Sequence, residues 1–283
     1  MILHGGVRLK ILFASSEVVP FAKTGGLADV SGALPRAVKA QGHDVRVIMP
    51  KYRTVDSQRF GLKSLDRSLA ILLGGAVHIV YILEGELERG LPVYFIDYKP
   101  YFDREELYGT PEGAYEDNAE RFILFSRAAL EATKAIGFQP DVIHCNDWQT
   151  GLIPVYLKTL YKKDPFFQGT ATVLTIHNIA YQGTFPKETL SLAGLSKEEF
   201  SPEKLEFYGQ VGFLKGGLVY SDVLNTVSAT YSKEIQTSPE FGYGLEGVLA
   251  QRSPDLYGIV NGIDYNEWNP AKDELIPANY TVG

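Results

Sequence analysis

Short apolar runs alternate along the chain with longer segments in which apolar residues recur at helical spacing. The run LKILFAS over residues 9–15 has the continuous apolar character of a strand buried on both faces of a parallel sheet. The spacing after it predicts a helix from about Leu27 to Gln41, and a strand over Val45 to Met49 then closes a βαβ unit. Four later runs predict further strands: DVIHCND, TATVLTIHN, DVLNTVS and LYGIVNGID.

Helices between these strands decide the fold class. Helical spacing predicts them over residues 118–136, across 150–162 and near 203–220. Strand and helix therefore take turns, which predicts an α/β fold with a doubly wound, mostly parallel, Rossmann-like sheet and helices on both faces. The segments HIVYILEG (78–85) and LPVYFID (91–97) interrupt this alternation, and the short charged turn between them predicts a hairpin appended to the sheet.

The last residues lose this pattern. After residue 262 the periodicity disappears and two prolines, Pro270 and Pro277, occur. Such a segment is typical of a connection that leaves a domain. We therefore expect one domain over residues 1–262 and an interdomain connection over residues 263–283.

Composition and charge exclude several classes of protein. The 283 residues are 45% hydrophobic and 22% charged, as in ordinary globular proteins. A net charge of -7 without a dense Lys/Arg run argues against a nucleic-acid partner. The single cysteine, Cys145, excludes an intramolecular disulfide. Because the N-terminus lacks a secretion signal and no stretch reaches membrane-span length, we expect a cytoplasmic protein, or a plastid protein if a transit segment was removed.

A glycine loop between the first strand and the first helix is the strongest candidate for ligand chemistry. Gly25 and Gly26 have no Cβ to hold an anion away, the helix start offers backbone N–H groups, and Lys23 adds a positive charge. These features favour a phosphate site. The alternative is a plain βα turn. The loop matches neither GxGxxG nor GxxxxGK[ST], which argues against a Rossmann oxidoreductase and a P-loop NTPase.

Polar groups stand at the ends of four predicted strands, where a parallel sheet gathers its ligands along one edge. The groups are Asn146-Asp147-Trp148-Gln149, His177-Asn178, Thr226-Val227-Ser228 and Asn261-Gly262-Ile263-Asp264. Each has a structural alternative: Asp147 caps the next helix, Trp148 packs in the core, His177 is a satisfied strand-end histidine, or Asn261 makes a turn. Their convergence predicts a binding crevice.

Tyr115 precedes the predicted helix at 118–136, where it either packs the helix start or stacks on a sugar ring. Asp117 or Asn118 is the expected N-cap of that helix. No set of histidine, cysteine and carboxylate residues has metal-ligand spacing, so we expect no protein-bound metal and no cofactor.

Seven motifs occur in the order found in one enzyme family: SSEVVPFAKTGGLADVSGALP, YEDNAERF, DVIHCNDWQTGL, TIHNIAYQG, FLKGGLVYSD, FGYGLEGVL and IVNGID. The chain resembles the N-terminal domain of bacterial glycogen synthases and plant starch synthases, which are ADP-glucose-dependent glucosyltransferases. The resemblance implies the N-terminal half of a GT-B fold, built from two facing Rossmann-like domains. It also implies transfer of glucose from ADP-glucose to the non-reducing end of an α-1,4-glucan, with retention of configuration and without a side-chain nucleophile.

The same resemblance assigns donor contacts. Lys23 would contact the phosphate or sugar region of the donor, and Gly25 with Gly26 would let the loop approach it. Asn261 in VNGID would reach the donor from the domain edge. His177 in HNIAYQG would lie beside the transferred glucose as a catalytic residue.

Acceptor contacts are implied in the same way. Tyr115, Asp147 and Trp148 would line the acceptor crevice, with Asp147 also catalytic. Gln149 would belong there too, although it departs from those members of the family that have histidine at this position. An amide can hydrogen-bond a sugar hydroxyl but cannot titrate near neutral pH.

The resemblance ends where the donor domain of the family would begin. We therefore expect that domain to be absent and the chain alone to transfer glucose poorly or not at all. A stand-alone glucan-binding module and a transferase that uses UDP-glucose remain as alternatives.

Overall fold

The computed structural model describes residues 7–265 and 268–281. Residues 1–6 lie outside the described residues. The prediction that the N-terminus carries no secretion signal falls partly on them. Residues 266, 267, 282 and 283 of the predicted connection do so as well.

In chain order, the strands are β1 (Lys10–Ala14), β2 (Asp44–Pro50), β3 (Lys63–Leu73), β4 (Ala76–Glu88), β5 (Leu91–Asp97), β6 (Gly109–Thr110), β7 (Gly113–Ala114), β8 (Val142–Asn146), β9 (Ala171–Ile176), β10 (Thr184–Phe185), β11 (Glu206–Phe207), β12 (Gln210–Gly212), β13 (Val223–Thr226) and β14 (Leu256–Gly258). The helices are α1 (Gly26–Ala40), α2 (Lys99–Phe102), α3 (Asn118–Ala135), α4 (Leu152–Lys158), α5 (Thr189–Leu192), α6 (Phe213–Tyr220), α7 (Tyr231–Glu234), α8 (Pro239–Gly242) and α9 (Glu246–Gln251).

Within the described residues, nine strands form one sheet in the order β14-β13-β9-β8-β1-β2-β5-β4-β3. All pairs from β14 to β5 are parallel, and β4 is antiparallel to both of its neighbours. The predicted doubly wound, mostly parallel α/β sheet is therefore confirmed. From β1 the chain proceeds to β2 on one side, whereas β8 leads to β9 on the other. The boundary between β1 and β8 is thus the point where the winding reverses.

The predicted hairpin is confirmed as β4 and β5, which pair antiparallel. It joins the sheet through β5, which pairs in parallel with β2. The antiparallel extension consists of β4 and of β3, a strand that the sequence analysis did not predict. The first half of β3 is mostly exposed and charged, and only Leu69, Ile71 and Leu73 are buried. Its apolar run is confined to residues 69–73, and the charged first half is that of an edge strand.

Two predicted helices are shorter than expected. The helix near 203–220 is helical only as α6, because residues 206–212 form β11 and β12, which pair with β10 in a small antiparallel sheet. Tyr208 and Gly209 turn between these strands with φ of 48° and 80°, a conformation that ends a helix. The helix across 150–162 is restricted to α4, which follows a 3₁₀ turn at Trp148–Thr150.

Helix α1 positions the loop that follows β1. The loop packs directly on the helix, where Val19 N donates to Ala28 O over 3.1 Å. A Cβ atom at Gly32 would lie 2.8 Å from the carbonyl oxygen of Val19, so only glycine permits this approach. The helix thereby fixes residues 15–25 at the carboxyl end of β1.

Candidate functional site

A cavity of about 710 Å³ opens at the carboxyl ends of the strands, next to the boundary between β1 and β8. Its walls are the glycine loop after β1, the segment that carries β6 and β7, and the loops after β8 and β9. In open α/β sheets this reversal point is where the connecting loops diverge and leave room for a ligand. The crevice that the strand-end residues predicted therefore exists.

Most of the predicted site residues line this cavity, namely Gly25, Gly26, Asp147, Trp148, Gln149, His177 and Asn261. Lys23 and Tyr115 are not among the residues that line it. The cavity is also lined by residues that were not predicted as site residues, among them Glu17, Thr24, Tyr108 and Asn118.

Lys23 lies beside the cavity rather than in its wall. Its Nζ atom is 2.7 Å from Oδ1 of Asp29, and its side chain is 47% exposed. The next residue, Thr24, belongs to the lining. The ammonium group is therefore one residue from the cavity, and contact with a ligand would compete with Asp29.

Glu17 uses much of the hydrogen-bonding capacity of the glycine loop. Its side chain is 3% exposed. Oε2 accepts from the backbone N–H groups of Thr24 (2.5 Å) and Gly25 (3.2 Å), and Oε1 accepts from the hydroxyls of Thr24 and Tyr108, both at 2.7 Å. Two of the loop amides that the sequence analysis offered to a phosphate are thus bonded to an internal carboxylate. Gly26 and Leu27, at the start of α1, remain part of the cavity lining.

Replacing Glu17 with glutamine is expected to lower the free energy of unfolding by about 1–3 kcal/mol, the usual cost of leaving buried donors unsatisfied. A glutamine has a single acceptor oxygen, and its NH₂ group would face the N–H donors of the loop. Urea denaturation measures the change. Glu105→Gln is the matched control, because the Glu105 side chain is 86% exposed and its substitution should have little effect. Equal midpoints for the two variants would contradict the role of Glu17.

Asp147 holds the end of β9 against the end of β8. Its Oδ1 accepts from the backbone N–H of His177 over 2.7 Å, and its own φ of 55° is in the left-handed region. Burial raises the pKa of Asp147 to about 7, while the N–H groups of His177 and Asn178 oppose the shift and the charge of Glu17 adds to it. The carboxyl makes no side-chain bond to cap the turn that follows. The capping alternative is therefore wrong.

His177 is a neutral hydrogen-bonding group at physiological pH. Burial lowers its pKa to about 4. Its Nε2 lies 2.9 Å from Oδ1 of Asn146, and His177 is one of the residues that line the cavity. The residue can therefore orient a hydroxyl in this cavity but does not carry a positive charge there.

Trp148 and Gln149 are both nearly buried and both line the cavity. The Trp148 indole packs edge-on against Phe122 with ring centroids 4.9 Å apart. Trp148 therefore packs in the core and also lines the cavity. Gln149 is 6% exposed, and its Oε1 has no hydrogen-bond partner among the residues that the structure describes. With no partner in the described part of the chain, this acceptor can accept a hydrogen bond from a hydroxyl group in the cavity.

Tyr115 braces the wall of the cavity. Its ring lies over the guanidinium groups of Arg104 (4.6 Å) and Arg121 (5.0 Å). Asp117 is the N-cap residue of α3, as expected, but its side chain makes no capping bond. The side chains of Asp117 and Asn118 bond instead to Arg104 and Arg121, respectively, because these buried or half-buried cations compete for them.

Residues 7–265 and 268–281 contain no group of three or more histidine, cysteine or carboxylate side chains that could hold a metal ion. No helix in those residues is long and apolar enough to cross a membrane.

Comparison with known proteins gives a consistent result. A family model described as the starch synthase catalytic domain matches residues 10–251. The chain is 51% identical to a glycogen synthase of Syntrophotalea carbinolica and 52% identical to one of Koribacter versatilis, in each case over 97% of this chain and 56% of the relative. It therefore spans about half the length of the curated relatives that it matches.

A solved structure has the same fold. The catalytic domain of Starch Synthase IV from Arabidopsis thaliana, bound to ADP and acarbose, superimposes with a TM-score of 0.88 at 35% identity. The match covers 97% of this chain and 56% of that chain.

Proposed function

The chain belongs to the starch synthase catalytic-domain family, and we propose that it forms the acceptor-side wall of a glucosyltransferase cleft. The complete enzyme would transfer glucose from ADP-glucose to the non-reducing end of an α-1,4-glucan with retention of configuration. The observation that carries this proposal is the cavity beside β1 and β8, where the glycine loop, Asp147 and His177 meet. The Arabidopsis thaliana structure, which is bound to ADP and acarbose, supports ADP-glucose and a glucan as the two ligands.

The lining residues suit the charges of such a reaction. Breaking the bond between C1 of glucose and the ADP phosphate leaves an oxocarbenium-like sugar and a negatively charged diphosphate. The carboxylate of Asp147 would stabilise the positive sugar, whereas Gly26 and the N-terminus of α1 would face the diphosphate. The departing phosphate would take the proton of the acceptor hydroxyl on the same face. No side chain then has to act as a nucleophile.

The remaining roles follow from position. His177 would bond to a hydroxyl of the transferred glucose, and Asn261 would approach the donor from the edge of the domain. Gln149, with its unpartnered Oε1, would accept from a hydroxyl of the acceptor glucan. Trp148 would supply an apolar wall for that sugar, and Tyr115 would hold the segment around it.

A chimera tests the proposal directly. The 283-residue chain is joined to the C-terminal part of the Syntrophotalea carbinolica glycogen synthase, and glucose incorporation into glycogen is measured with ADP-glucose and UDP-glucose in parallel. We expect transfer from ADP-glucose by the chimera and little or none by the chain alone. Equal activity of the two proteins would contradict the proposal that this chain provides one wall of the cleft.

Lys23→Ala in this chimera is expected to lower kcat/KM for ADP-glucose by roughly 10- to 100-fold. Loss of a buried donor that stabilises a developing negative charge costs about 3 kcal/mol. A half-exposed ammonium group stabilises such a charge less, because solvent screens it. Lys39→Ala is the control, since its ammonium group pairs with Glu88 at the other end of α1. If both variants keep the parental kcat/KM, Lys23 has no role in donor binding.

A stand-alone glucan-binding module is the second candidate. The bonds of Glu17 to the loop amides and the ion pair between Lys23 and Asp29 favour it, because both reduce the affinity of this wall for a phosphate. Calorimetric titration of the chain with maltoheptaose and with ADP-glucose separates the two candidates. Tight binding of the oligosaccharide, together with an inactive chimera, would support the binding module.

A further inference from the structure

A buried asparagine determines which way the ring of His177 presents its two nitrogen atoms. Asn146 is fully buried at the end of β8. Its Nδ2 donates to the carbonyl oxygen of Ala14 at 3.0 Å and approaches that of His144 at 3.4 Å, while its Oδ1 lies 2.9 Å from Nε2 of His177. One amide thus connects the ends of β1 and β8 to the residue that follows β9.

The chemistry of these partners fixes the orientation of the amide. Backbone carbonyl oxygens only accept hydrogen bonds, so the NH₂ group of Asn146 must face Ala14 and His144. Its Oδ1, which can only accept, is then the atom that faces His177. The Nε2 atom of His177 must therefore carry a proton and donate it to Asn146.

A neutral imidazole has one N–H, so a proton on Nε2 leaves Nδ1 as an acceptor. Burial lowers the pKa of His177 to about 4, which keeps the ring neutral at pH 7. Nδ1 has no hydrogen-bond partner among the residues that the structure describes, and His177 lines the cavity. The free acceptor nitrogen is therefore available to a ligand.

We infer that Asn146 is a positioning residue that locks His177 in the Nε2–H tautomer, so that Nδ1 accepts a hydrogen bond from a hydroxyl group of the ligand. This inference deepens the proposed function and rests on it for the identity of that ligand as a sugar. The locked ring favours hydroxyl donors and disfavours ligands that offer only acceptor oxygens at this point, such as a phosphate. Asn146 acts through His177 and has no contact of its own with the cavity.

The test is a long-range ¹H–¹⁵N spectrum of the chain labelled with ¹⁵N-histidine, in which the two tautomers have different nitrogen shifts. His177→Gln assigns the ring by loss of its signals. We expect the wild-type ring to show the pattern of a neutral ring protonated on Nε2, unchanged between pH 6 and pH 8. In Asn146→Ala both tautomers should be populated, and the two nitrogen shifts should move toward each other.

Asn225→Ala is the matched control. Asn225 accepts from the hydroxyl of Thr175 on the same sheet and has no bond to His177, so its loss should leave the His177 pattern unchanged. A wild-type ring protonated on Nδ1 would overturn the inference, and this result does not depend on whether any variant folds. Wild-type nitrogen shifts in a folded Asn146→Ala protein, checked by far-ultraviolet circular dichroism, would overturn it as well.

A glucose donor separates the two proposals. Titration of the ¹⁵N-histidine-labelled chimera with ADP-glucose should shift the Nδ1 signal of His177 more than the Nε2 signal, because only Nδ1 is free to accept. If the Nε2–H pattern is observed but neither ADP-glucose nor maltose moves the Nδ1 signal, the tautomer assignment stands and the proposed function loses its support.

Discussion

Replacing Asp147 with asparagine is expected to stabilise the protein at pH 8 by about 2–4 kcal/mol and to reduce glucose transfer by the chimera at least 100-fold. The gain in stability arises because the carboxylate is charged at a buried position, where burial raises its pKa from the ordinary value to about 7. Asparagine keeps an oxygen for the N–H of His177 and tolerates the φ of 55° at this position. The loss of activity arises because the neutral amide cannot balance a positive sugar.

The dependence on pH gives this prediction its sign. The folded protein holds the Asp147 proton more tightly than the unfolded chain, so the group contributes stability below its ordinary pKa of 3.8 and loses it as the pH rises through about 7. The advantage of Asp147→Asn should therefore be largest at pH 8 and shrink toward pH 4. Urea denaturation at pH 5 and pH 8 measures the difference.

Asp141→Asn is the matched control for both measurements. Asp141 is exposed at the opposite end of the same strand, where it accepts from the backbone N–H of Lys10. Its replacement should change neither the pH dependence nor the transfer rate appreciably. If the difference in the free energy of unfolding between Asp147→Asn and the wild type does not change with pH, burial does not raise the pKa of Asp147 and the prediction is contradicted.

Arg121→Met is expected to lower the free energy of unfolding by about 3–5 kcal/mol, because several buried acceptors lose their donors at once. The guanidinium group is fully buried and donates to the carbonyl oxygens of Tyr101 and Leu107, both at 2.8 Å, and to Oδ1 of Asn118 at 2.6 Å. These bonds anchor the segment that forms one wall of the cavity. Chemical denaturation measures the loss, and amide hydrogen exchange should report faster opening of residues 106–114.

Arg53→Met controls for the loss of an arginine that is bonded to the same segment, through Asp103. Its guanidinium donates to Asp103, but both side chains are about half exposed, and exposed ion pairs contribute about 1 kcal/mol or less. Similar unfolding midpoints for the two variants would contradict the anchoring role of Arg121.

The residues that sequence reasoning located correctly are those at strand ends. An apolar run followed by polar residues gives both the strand and its end, and the parallel sheet then brings Asp147, His177 and Asn261 to one edge whatever their separation along the chain. The glycine loop was recognisable for the same reason, because it lies between a buried strand and a helix. Local pattern and topology were sufficient for these positions.

The parts that could not be predicted depend on contacts between distant side chains. Nothing near Glu17 in the sequence indicates that its carboxylate turns back to the amides of residues 24 and 25, or that Tyr108 bonds to it from 91 positions away. The N-cap position of α3 at Asp117 was predicted, but its missing capping bond was not, because Arg104 recruits the Asp117 side chain. The edge strand β3 was missed although residues 69–73 are apolar, because its first half is mostly charged and exposed.

The carboxylate of Glu17 places a fixed negative charge in the wall of the cavity. Free phosphate and free nucleotides near the glycine loop meet two buried acids, Glu17 and Asp147, in a chain whose net charge is -7. Coulomb repulsion therefore works against occupation by anions alone. In the proposed enzyme, a sugar diphosphate would gain from entering only when another electropositive surface arrives with it, so loading of the donor and closure of the cleft would be a single event.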